Sequence, residues 1–395
     1  MTDANDPRNA ADDSSTGRQR SSVDTAYVHA HRGDTAPGAP VSPPLVMTTT
    51  FRRTAEGFPA PHFYSRISCP NRSAFEDAMV MLEHGSEAFA FASGLAASMA
   101  VFQTLRPGDH VVIPDDAYYG VRLQLQELLR HSGIRVTRTD MTDLSALRAI
   151  LREPVALVWM ETPSNPLLKV TDIRAVAKLA SACGARVVCD NTWATPVLQQ
   201  PLLLGCDAVV HSVTKYIGGH SDVLMGCVVV RGHDEWCHEL RRIQTIGGAV
   251  PSPATCWMAS RGMQTLPVRM RAACASAARV AEFCAGDGRV VDVSYPGLPA
   301  HPGHAVAMDQ MSLPGAMLSM RVRGGRAEAL SVAGALKLFA HATSLGGVES
   351  LVEHRATVEP SDSGTPENLL RLSIGLEDGD ELVADIDAAL RTVYP

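Results

Sequence analysis

A lysine among small and hydroxylated residues is the feature of this sequence with the most chemical content. Lys215 follows the apolar run 207–211, stands beside Ser212 and Thr214, and precedes two glycines at 218–219. Such neighbours let a ligand approach closely, whereas most lysines are solvated surface groups. A partly buried lysine near other cations can keep its amine neutral, and the neutral amine acts as a nucleophile or base. Lys215 is therefore the candidate catalytic residue.

Asp190 stands at the end of the apolar run 185–189, which is the run before the one that leads to Lys215. A buried carboxylate at the end of a strand can keep a pyridine nitrogen protonated, and the protonated ring then acts as an electron sink. The alternative for Asp190 is a helix N-cap or a local turn. Its occurrence together with Lys215 favours the catalytic interpretation.

An anion site is predicted where Ser93, Gly94 and Leu95 open a helix directly after a strand. Backbone N–H groups at a helix start bind anions, and glycine allows close approach. Ser212 and Thr214 can add hydroxyl donors to the same phosphate. A Ser-Gly pair alone is also an ordinary N-cap, so this prediction depends on Lys215 and Asp190.

Two further side chains have a predicted role at the same site. Tyr118 follows its strand where a ring could lie over a flat cofactor. Arg371 lies inside the apolar run 369–373, where a cation needs an anionic partner. A substrate carboxylate held by two hydrogen bonds is one such partner, and a structural ion pair is the alternative.

Composition narrows the class of protein. The chain has 395 residues, a net charge of −7 and no dense run of Lys and Arg with interleaved aromatics, so a nucleic-acid partner is not expected. We expect neither a membrane span nor a secretory signal, because no apolar stretch is long enough. None of the nine cysteines forms a C-x-x-C pair. Reduced thiols, a cytoplasmic location and no metal site are therefore expected.

Short apolar runs alternate with helical stretches from about residue 73. This alternation predicts an α/β fold with a mostly parallel sheet, and ligands bind beyond the carboxyl ends of such strands. We expect a long amphipathic helix after Tyr118, another over 261–285, and a smaller α/β segment near the C-terminus. The predicted division is a disordered tail at 1–22, an extended N-terminal arm at 23–62, a large domain at 63–255 and a C-terminal domain at 256–395.

Four segments resemble one family of enzymes. They are ETPSNPLLKV at 161–170, DNT at 190–192, SVTKYIGGHSD at 212–222 and SLGGVES at 344–350. From about Thr25 to Leu390 the chain is similar to the Cys/Met-metabolism group of pyridoxal 5'-phosphate (PLP) enzymes. That group contains cystathionine γ-synthase, cystathionine γ- and β-lyases, and methionine γ-lyase.

The resemblance implies a PLP fold-type I (aspartate-aminotransferase-like) large domain and a homotetramer with active sites shared across a dimer interface. It implies that Lys215 carries the cofactor as a Schiff base and that Asp190 pairs with its ring nitrogen. It implies that Tyr118 stacks on the ring and assists proton transfer. The other residues have three implied roles. The phosphate is held by Tyr64 and Arg66 of the neighbouring subunit and by Ser93, Gly94, Leu95, Ser212 and Thr214. The substrate carboxylate is bound by Ser344 and Arg371, and Asn165 lies near the cofactor's phenolic oxygen and the substrate.

The sequence departs from the family pattern at three places. Residues 67–71 read ISCPN where the family usually has Tyr-Gly-Asn-Pro-Thr. Gly120 stands where methionine γ-lyases have a cysteine, which argues against that activity. Thr343 stands where cystathionine γ-enzymes usually have a glutamate that helps read the distal ammonium of cystathionine. Because Thr343 carries no charge, the substrate preference is expected to differ.

The predicted function is elimination or replacement at Cγ of an L-amino acid, either in transsulfuration or in a specialised biosynthetic pathway. A β-elimination of the cystathionine β-lyase type is the alternative. A catalytically silent homologue that binds PLP is a third possibility, which the joint presence of Lys215, Asp190, Tyr118 and Arg371 disfavours.

Overall fold

The computed structural model describes residues 22–30, 36–55, 61–359 and 363–395. The predicted disordered tail therefore lies outside the described residues, apart from Ser22. Within the described ranges, no helix is both long and apolar enough to cross a membrane.

The first part of the chain builds a seven-stranded sheet with helices around it. Its strands are β1 (Glu87–Phe91), β2 (His110–Pro114), β3 (Arg135–Thr139), β4 (Leu157–Glu161), β5 (Arg186–Asp190), β6 (Ala208–Ser212) and β7 (Gly226–Val230). Its helices are α1 (Val23–His29), α2 (Pro70–Glu83), α3 (Gly94–Phe102), α4 (Tyr119–Leu123), α5 (Leu144–Ile150), α6 (Ile173–Ala182), α7 (Thr195–Leu198), α8 (Glu235–Gly247) and α9 (Pro253–Met263). The strand order is β1-β7-β6-β5-β4-β2-β3, and β7 is antiparallel to both of its neighbours.

The second part builds a five-stranded sheet in the order β10-β11-β12-β9-β8. Its strands are β8 (Val290–Ser294), β9 (Met317–Val322), β10 (Ala340–His341), β11 (Leu351–His354) and β12 (Leu369–Ser373), and its helices are α10 (Leu266–Gly286), α11 (His304–Gln310), α12 (Arg326–Ala335) and α13 (Gly379–Val393). The fold class predicted from the sequence is confirmed by solved structures of the same fold, described below.

Two helix predictions are wrong in detail. The stretch 261–285 is divided between α9 and α10, because Pro267 lies in the first turn of α10. Proline fixes its own φ and disfavours a helical residue before it, so it begins a helix readily but does not continue one. The helix after Tyr118 is short: α4 has five residues and passes into a π-helical turn at Gln124–Leu128.

The N-terminal arm contains a helix that the sequence interpretation lacked. Helix α1 packs on α10 and is joined to it by an ion pair of 2.7 Å between Arg271 and Asp24. Residue 255, the predicted domain boundary, falls inside α9, which packs on α2. The domain bounds themselves stay a prediction.

Candidate active site

A cavity of about 210 Å³ opens where the strands of the large sheet end. Its wall contains every predicted site residue except Tyr64 and Arg66, namely Ser93, Gly94, Leu95, Tyr118, Asn165, Asp190, Ser212, Thr214, Lys215, Thr343, Ser344 and Arg371. Most of them follow the carboxyl ends of β1, β2, β4, β5 and β6, and Arg371 comes from β12 of the small sheet. The cavity therefore lies between the two sheets, with reactive side chains from both.

Lys215 lies in a tight turn directly after β6. Its backbone N–H donates to Ser212 O at 3.1 Å, and its Nζ donates to Ser344 Oγ at 2.5 Å. Burial lowers the pKa of the Lys215 amine to about 8, and the nearby charge of Arg371 acts in the same direction. A larger fraction of this amine is thus neutral near pH 7 than for an ordinary lysine.

Ser344 joins Lys215 to the arginine of the small sheet. Its φ of 94° lies in the left-handed region, which a non-glycine residue adopts at a cost of about 1–3 kcal/mol. In this conformation its hydroxyl meets Lys215, while its carbonyl oxygen accepts a hydrogen bond of 2.8 Å from Arg371 Nη2. Backbone strain at such a residue is typical of functional sites.

Arg371 is held by neighbours on both sides. It pairs across the strands with Glu353 of β11, at 2.5 Å between Nη2 and Oε2, and its Nη1 donates to Asn165 Oδ1 at 3.0 Å. With the bond to Ser344, these contacts engage three of the five N–H donors of the guanidinium, so others remain for a ligand. Burial lowers the pKa of Arg371 to about 10, which keeps it charged at neutral pH.

Asp190 faces the cavity from the end of β5. It accepts a hydrogen bond of 3.0 Å from the backbone N–H of Thr192. Burial raises the pKa of Asp190, while the bonds from Thr192 and the charge of His211 act against that rise. His211 and Glu83 form a fully buried pair at 2.6 Å, and Asn191, the residue after Asp190, also donates to Glu83 at 3.2 Å.

The start of α3 has the form expected of an anion site. Ser93 is the N-cap, and its hydroxyl accepts from Ala96 N at 3.1 Å. A Cβ at Gly94 would lie 2.8 Å from Ser212 Cβ and 2.9 Å from its hydroxyl, so only glycine fits between this helix start and β6. Thr214 follows Ser212 and is bonded through its hydroxyl to both backbone groups of Met225.

Glu161 is a site residue that the sequence interpretation did not single out. It ends β4 beside Asp190 of β5, and its Oε2 accepts a hydrogen bond of 2.7 Å from Tyr118 N. Burial, followed by the charge of Asp190, raises the pKa of Glu161. The signal was present, because Glu161 is a carboxylate at a strand end, as Asp190 is.

Arg355 is a second unforeseen residue of the cavity wall. It forms buried ion pairs with Glu353 at 3.0 Å and with Glu359 at 2.7 Å. Glu353 thus lies between Arg355 and Arg371. No sequence spacing indicated this arrangement, because it arises only when β11 pairs with β12.

Tyr64 and Arg66 are not among the residues that line the cavity of their own chain. The Arg66 guanidinium donates to Thr245 O at 2.6 Å and stands 5.6 Å from the centre of the Tyr64 ring, which leaves Tyr64 40% exposed. A role for these two residues at the site of another subunit stays a prediction.

Comparisons with known proteins place the chain in a family. The sequence model of the Cys/Met metabolism PLP-dependent enzymes matches residues 24–391. The chain belongs to this family. Cystathionine gamma-synthase from Mycobacterium bovis is 43% identical over 374 residues, which cover 93% of this chain and 96% of that protein. Cystathionine beta-lyase from Lactococcus lactis subsp. cremoris is 40% identical, with coverage of 93% and 99%.

Solved structures agree with the sequence comparison. An apo methionine gamma-lyase from Micromonospora echinospora superposes with a TM-score of 0.88 at 42% identity, and the match covers 94% of this chain and 99% of that one. The family prediction and the PLP prediction are confirmed. The prediction of an enzyme of sulfur amino-acid metabolism is also confirmed. Elimination or replacement at Cγ is consistent with the enzymes that the chain resembles.

The side chains of the cavity fit PLP. The helix start at Ser93 and Gly94 offers N–H groups to a phosphate, and the missing Cβ of Gly94 leaves room for close approach. Lys215 supplies an amine with a lowered pKa, and Asp190 a carboxylate that faces the cavity. The three groups needed to bind the phosphate, the aldehyde and the ring nitrogen thus line one cavity.

Proposed function

We propose that this enzyme catalyses elimination or replacement at Cγ of an L-amino acid. The observation that carries the proposal is the contact of 2.5 Å between Lys215 Nζ and Ser344 Oγ, beside Arg371. An amine with a lowered pKa thus lies next to a binding site for an amino-acid carboxylate. A base so placed can reach protons on adjacent carbons of one substrate.

The proposed roles follow from position. Lys215, Asp190, Tyr118 and Asn165 would surround the cofactor ring, and the start of α3 with Ser212 and Thr214 would hold its phosphate. PLP, when bound, supplies an electron sink for the charge that develops at Cα. Arg371 and Ser344 hold the substrate carboxylate, and Lys215 Nζ accepts the proton from Cα. For a leaving group on Cγ, the ammonium of Lys215 first gives up the Cα proton to the cofactor or to solvent, and the neutral amine then accepts the proton from Cβ.

A β-elimination is the second candidate, and the relative named cystathionine beta-lyase supports it. The same residues serve both reactions, because a leaving group on Cβ requires only the first proton transfer. The two candidates differ in the substrate carbon that carries the leaving group. The part of the cavity that surrounds the substrate side chain decides which substrate binds.

Three positions shape the proposed substrate preference. Thr343 lines the cavity without a charge, whereas Arg355 is a buried cation in the same wall. A distal ammonium, such as that of cystathionine, would meet no carboxylate at position 343. A Cβ at Gly120 would lie 2.7 Å from the Tyr118 ring and 2.8 Å from Leu95 Cδ2, so a side chain there would displace two residues of the cavity wall. We therefore propose a preference for γ-substituents without a distal ammonium.

We further propose a cytoplasmic homotetramer whose sites are shared between subunits. The exposed position of Tyr64, outside the cavity of its own chain, supports sharing. All nine cysteines are free thiols, as in a reducing compartment.

A substrate panel tests the proposed reaction. The holoenzyme is incubated with O-acylhomoserines with and without cysteine, and with cystathionine, cysteine and methionine, and 2-oxo acids and thioethers are measured. We expect turnover of a γ-substituted substrate. In Lys215→Ala the turnover rate should fall by about 10²–10⁴-fold. Turnover of β-substituted substrates alone would favour β-elimination, and no product from any substrate would contradict the proposal.

A further inference from the structure

Three side chains of the types that bind zinc converge far from the active site. They are Glu87, the first residue of β1, His233, which precedes the N-cap of α8, and Cys237 in the first turn of α8. Glu87 Oε2 lies 3.0 Å from Cys237 Sγ and 3.3 Å from His233 Nδ1, and the sulfur and Nδ1 are 3.8 Å apart. One carboxylate oxygen, one thiol and one imidazole nitrogen thus form a compact triangle.

The triangle has the size of one face of a tetrahedral zinc site. With Zn–S near 2.3 Å, and Zn–N and Zn–O near 2.0 Å, tetrahedral angles place ligand atoms about 3.3–3.6 Å apart. The separations of 3.0, 3.3 and 3.8 Å lie within about 0.5 Å of these values. Small rotations of the side chains would therefore bring all three atoms to bonding distance of one ion.

Arg241 orients the carboxylate of this cluster. Its Nε and Nη2 donate to Glu87 Oε1 at 2.9 and 2.7 Å, which turns Oε2 toward the other two ligand atoms. Partners of this kind, which hold a ligand by its second atom, are common around bound metals. A thiolate, a carboxylate and a neutral imidazole would together balance the charge of a divalent ion.

We propose that Glu87, His233 and Cys237 bind a divalent cation that prefers sulfur and nitrogen ligands, with Zn²⁺ as the representative ion. The ion replaces the thiol proton, which leaves to solvent, and a water molecule takes the fourth position. The site connects the start of β1 to the start of α8. The sequence offered no sign of it, because Glu87 is 150 positions from Cys237.

The site is separate from the catalytic cavity. Glu87 begins β1, and the cavity lies beyond the other end of this five-residue strand, about 13 Å away at 3.3 Å per residue. His233 is exposed, so an ion can enter from solvent. Binding should therefore raise thermal stability without changing turnover, and the inference does not depend on the proposed reaction.

Metal titration of the holoenzyme tests the proposal. The experiments use a Cys183→Ser background, which removes the exposed cysteine. Zn²⁺ affinity is measured by competition with a chromophoric chelator, and Co²⁺ is bound as a spectroscopic probe. The variants are His233→Ala and Cys237→Ser, and the matched control is His238→Ala, an exposed histidine of the same helix outside the cluster.

We expect one Zn²⁺ per chain and an affinity at least about tenfold weaker in both cluster variants, with the control unchanged. Bound Co²⁺ should show the visible bands of a tetrahedral ion and a thiolate charge-transfer band that is lost in Cys237→Ser. The cofactor spectrum and turnover of His233→Ala show that this variant is folded. Absence of stoichiometric binding, equal affinity in His233→Ala, or an octahedral Co²⁺ spectrum would overturn the proposal.

Discussion

At the scale of single residues, the surroundings of Lys215 favour its neutral amine form. Removal from water disfavours the ammonium form, and Arg371 adds repulsion, so the pKa falls to about 8. Glu353 acts in the opposite direction, with a smaller effect than Arg371. The amine is therefore poised for proton transfer near physiological pH.

This lowered pKa predicts how cofactor-free protein captures PLP. Only the neutral amine reacts, so the capture rate should rise about tenfold per pH unit below pH 8 and level off above it. An amine with the ordinary pKa of 10.5 would give a rate that still rises at pH 10. Stopped-flow absorbance between pH 6.5 and 10 measures the profile, and a midpoint near 10 would contradict the assigned environment. Lys215→Ala is the control, because it lacks the amine that captures PLP and reports only non-covalent binding.

Arg371 is expected to bind the substrate carboxylate. Arg371→Ala should raise KM for amino-acid substrates by the loss of a charge-assisted pair of roughly 2–5 kcal/mol, or about 30-fold or more. Arg321→Ala is a matched control, because Arg321 lies on the neighbouring strand β9 and bonds Asn368 instead of the cavity. Steady-state kinetics of both variants, with unfolding curves to confirm folding, decide the matter. An unchanged KM in Arg371→Ala would place the carboxylate elsewhere.

Sequence reasoning finds residues that stand at the end of a single strand. It does not find residues whose position depends on how two strands pair. Asp190 and Lys215 were found because each follows an apolar run. Glu161 follows the same rule and could have been found. Arg355 could not, since its place in the cavity wall depends on the pairing of β11 with β12 and on Glu359.

At the scale of elements, two glycines set the position of the α3 start. A Cβ at Gly226, the first residue of β7, would lie 2.2 Å from Ser93 O, and a Cβ at Gly94 would clash with Ser212 of β6. The helix start is therefore pressed against two strands at once. This close packing fixes Ser93, Gly94 and Leu95 in the cavity wall.

Gly94→Ala should weaken PLP binding. The added methyl group must push α3 away from β6. Loss of one hydrogen bond to the charged phosphate costs about 1.5–3 kcal/mol, or about 10- to 150-fold in Kd. Gly334→Ala in α12 is the matched control, because no atom lies within 4 Å of the place that its methyl group would occupy. Fluorescence titration of cofactor-free protein measures Kd. Equal affinity in Gly94→Ala and the control would show that the phosphate lies elsewhere.

The strands with buried faces were predictable and the exposed ones were not. Runs such as 110–113 and 207–211 are apolar and end in polar residues. Strand β3 has the sequence RVTRT and is largely exposed at the sheet edge, and β8 is also partly exposed. Neither shows the continuous apolar run of a buried parallel strand. The α9–α10 break depended on one proline, which apolar periodicity does not reveal.

At the scale of the whole molecule, the position of Tyr64 and Arg66 raises the question of which cavity they serve. Both belong to a segment that Arg72 fixes to α2, through hydrogen bonds to the carbonyl oxygens of Ser65, Arg66 and Ile67. The segment is thus held in place by its own chain, although Tyr64 and Arg66 do not line the cavity of that chain. A rigid segment with an exposed tyrosine is suited to complete the site of a second subunit.

Subunit complementation tests this sharing. Arg66→Ala and Lys215→Ala should each be impaired, the first by weaker PLP retention and the second by loss of the base. In a mixed dimer with sites shared by two-fold symmetry, one site combines the intact Lys215 of one subunit with the intact Arg66 of the other. Random exchange gives mixed dimers in half of the cases, so co-refolding should restore about a quarter of wild-type activity.

As a control, Arg371→Ala mixed with Lys215→Ala should restore nothing, because both residues line the cavity of one chain. No recovery with Arg66→Ala would mean that each subunit builds its site alone. Recovery in the control would mean that Lys215 and Arg371 of different subunits meet in one site, which would contradict the cavity described above.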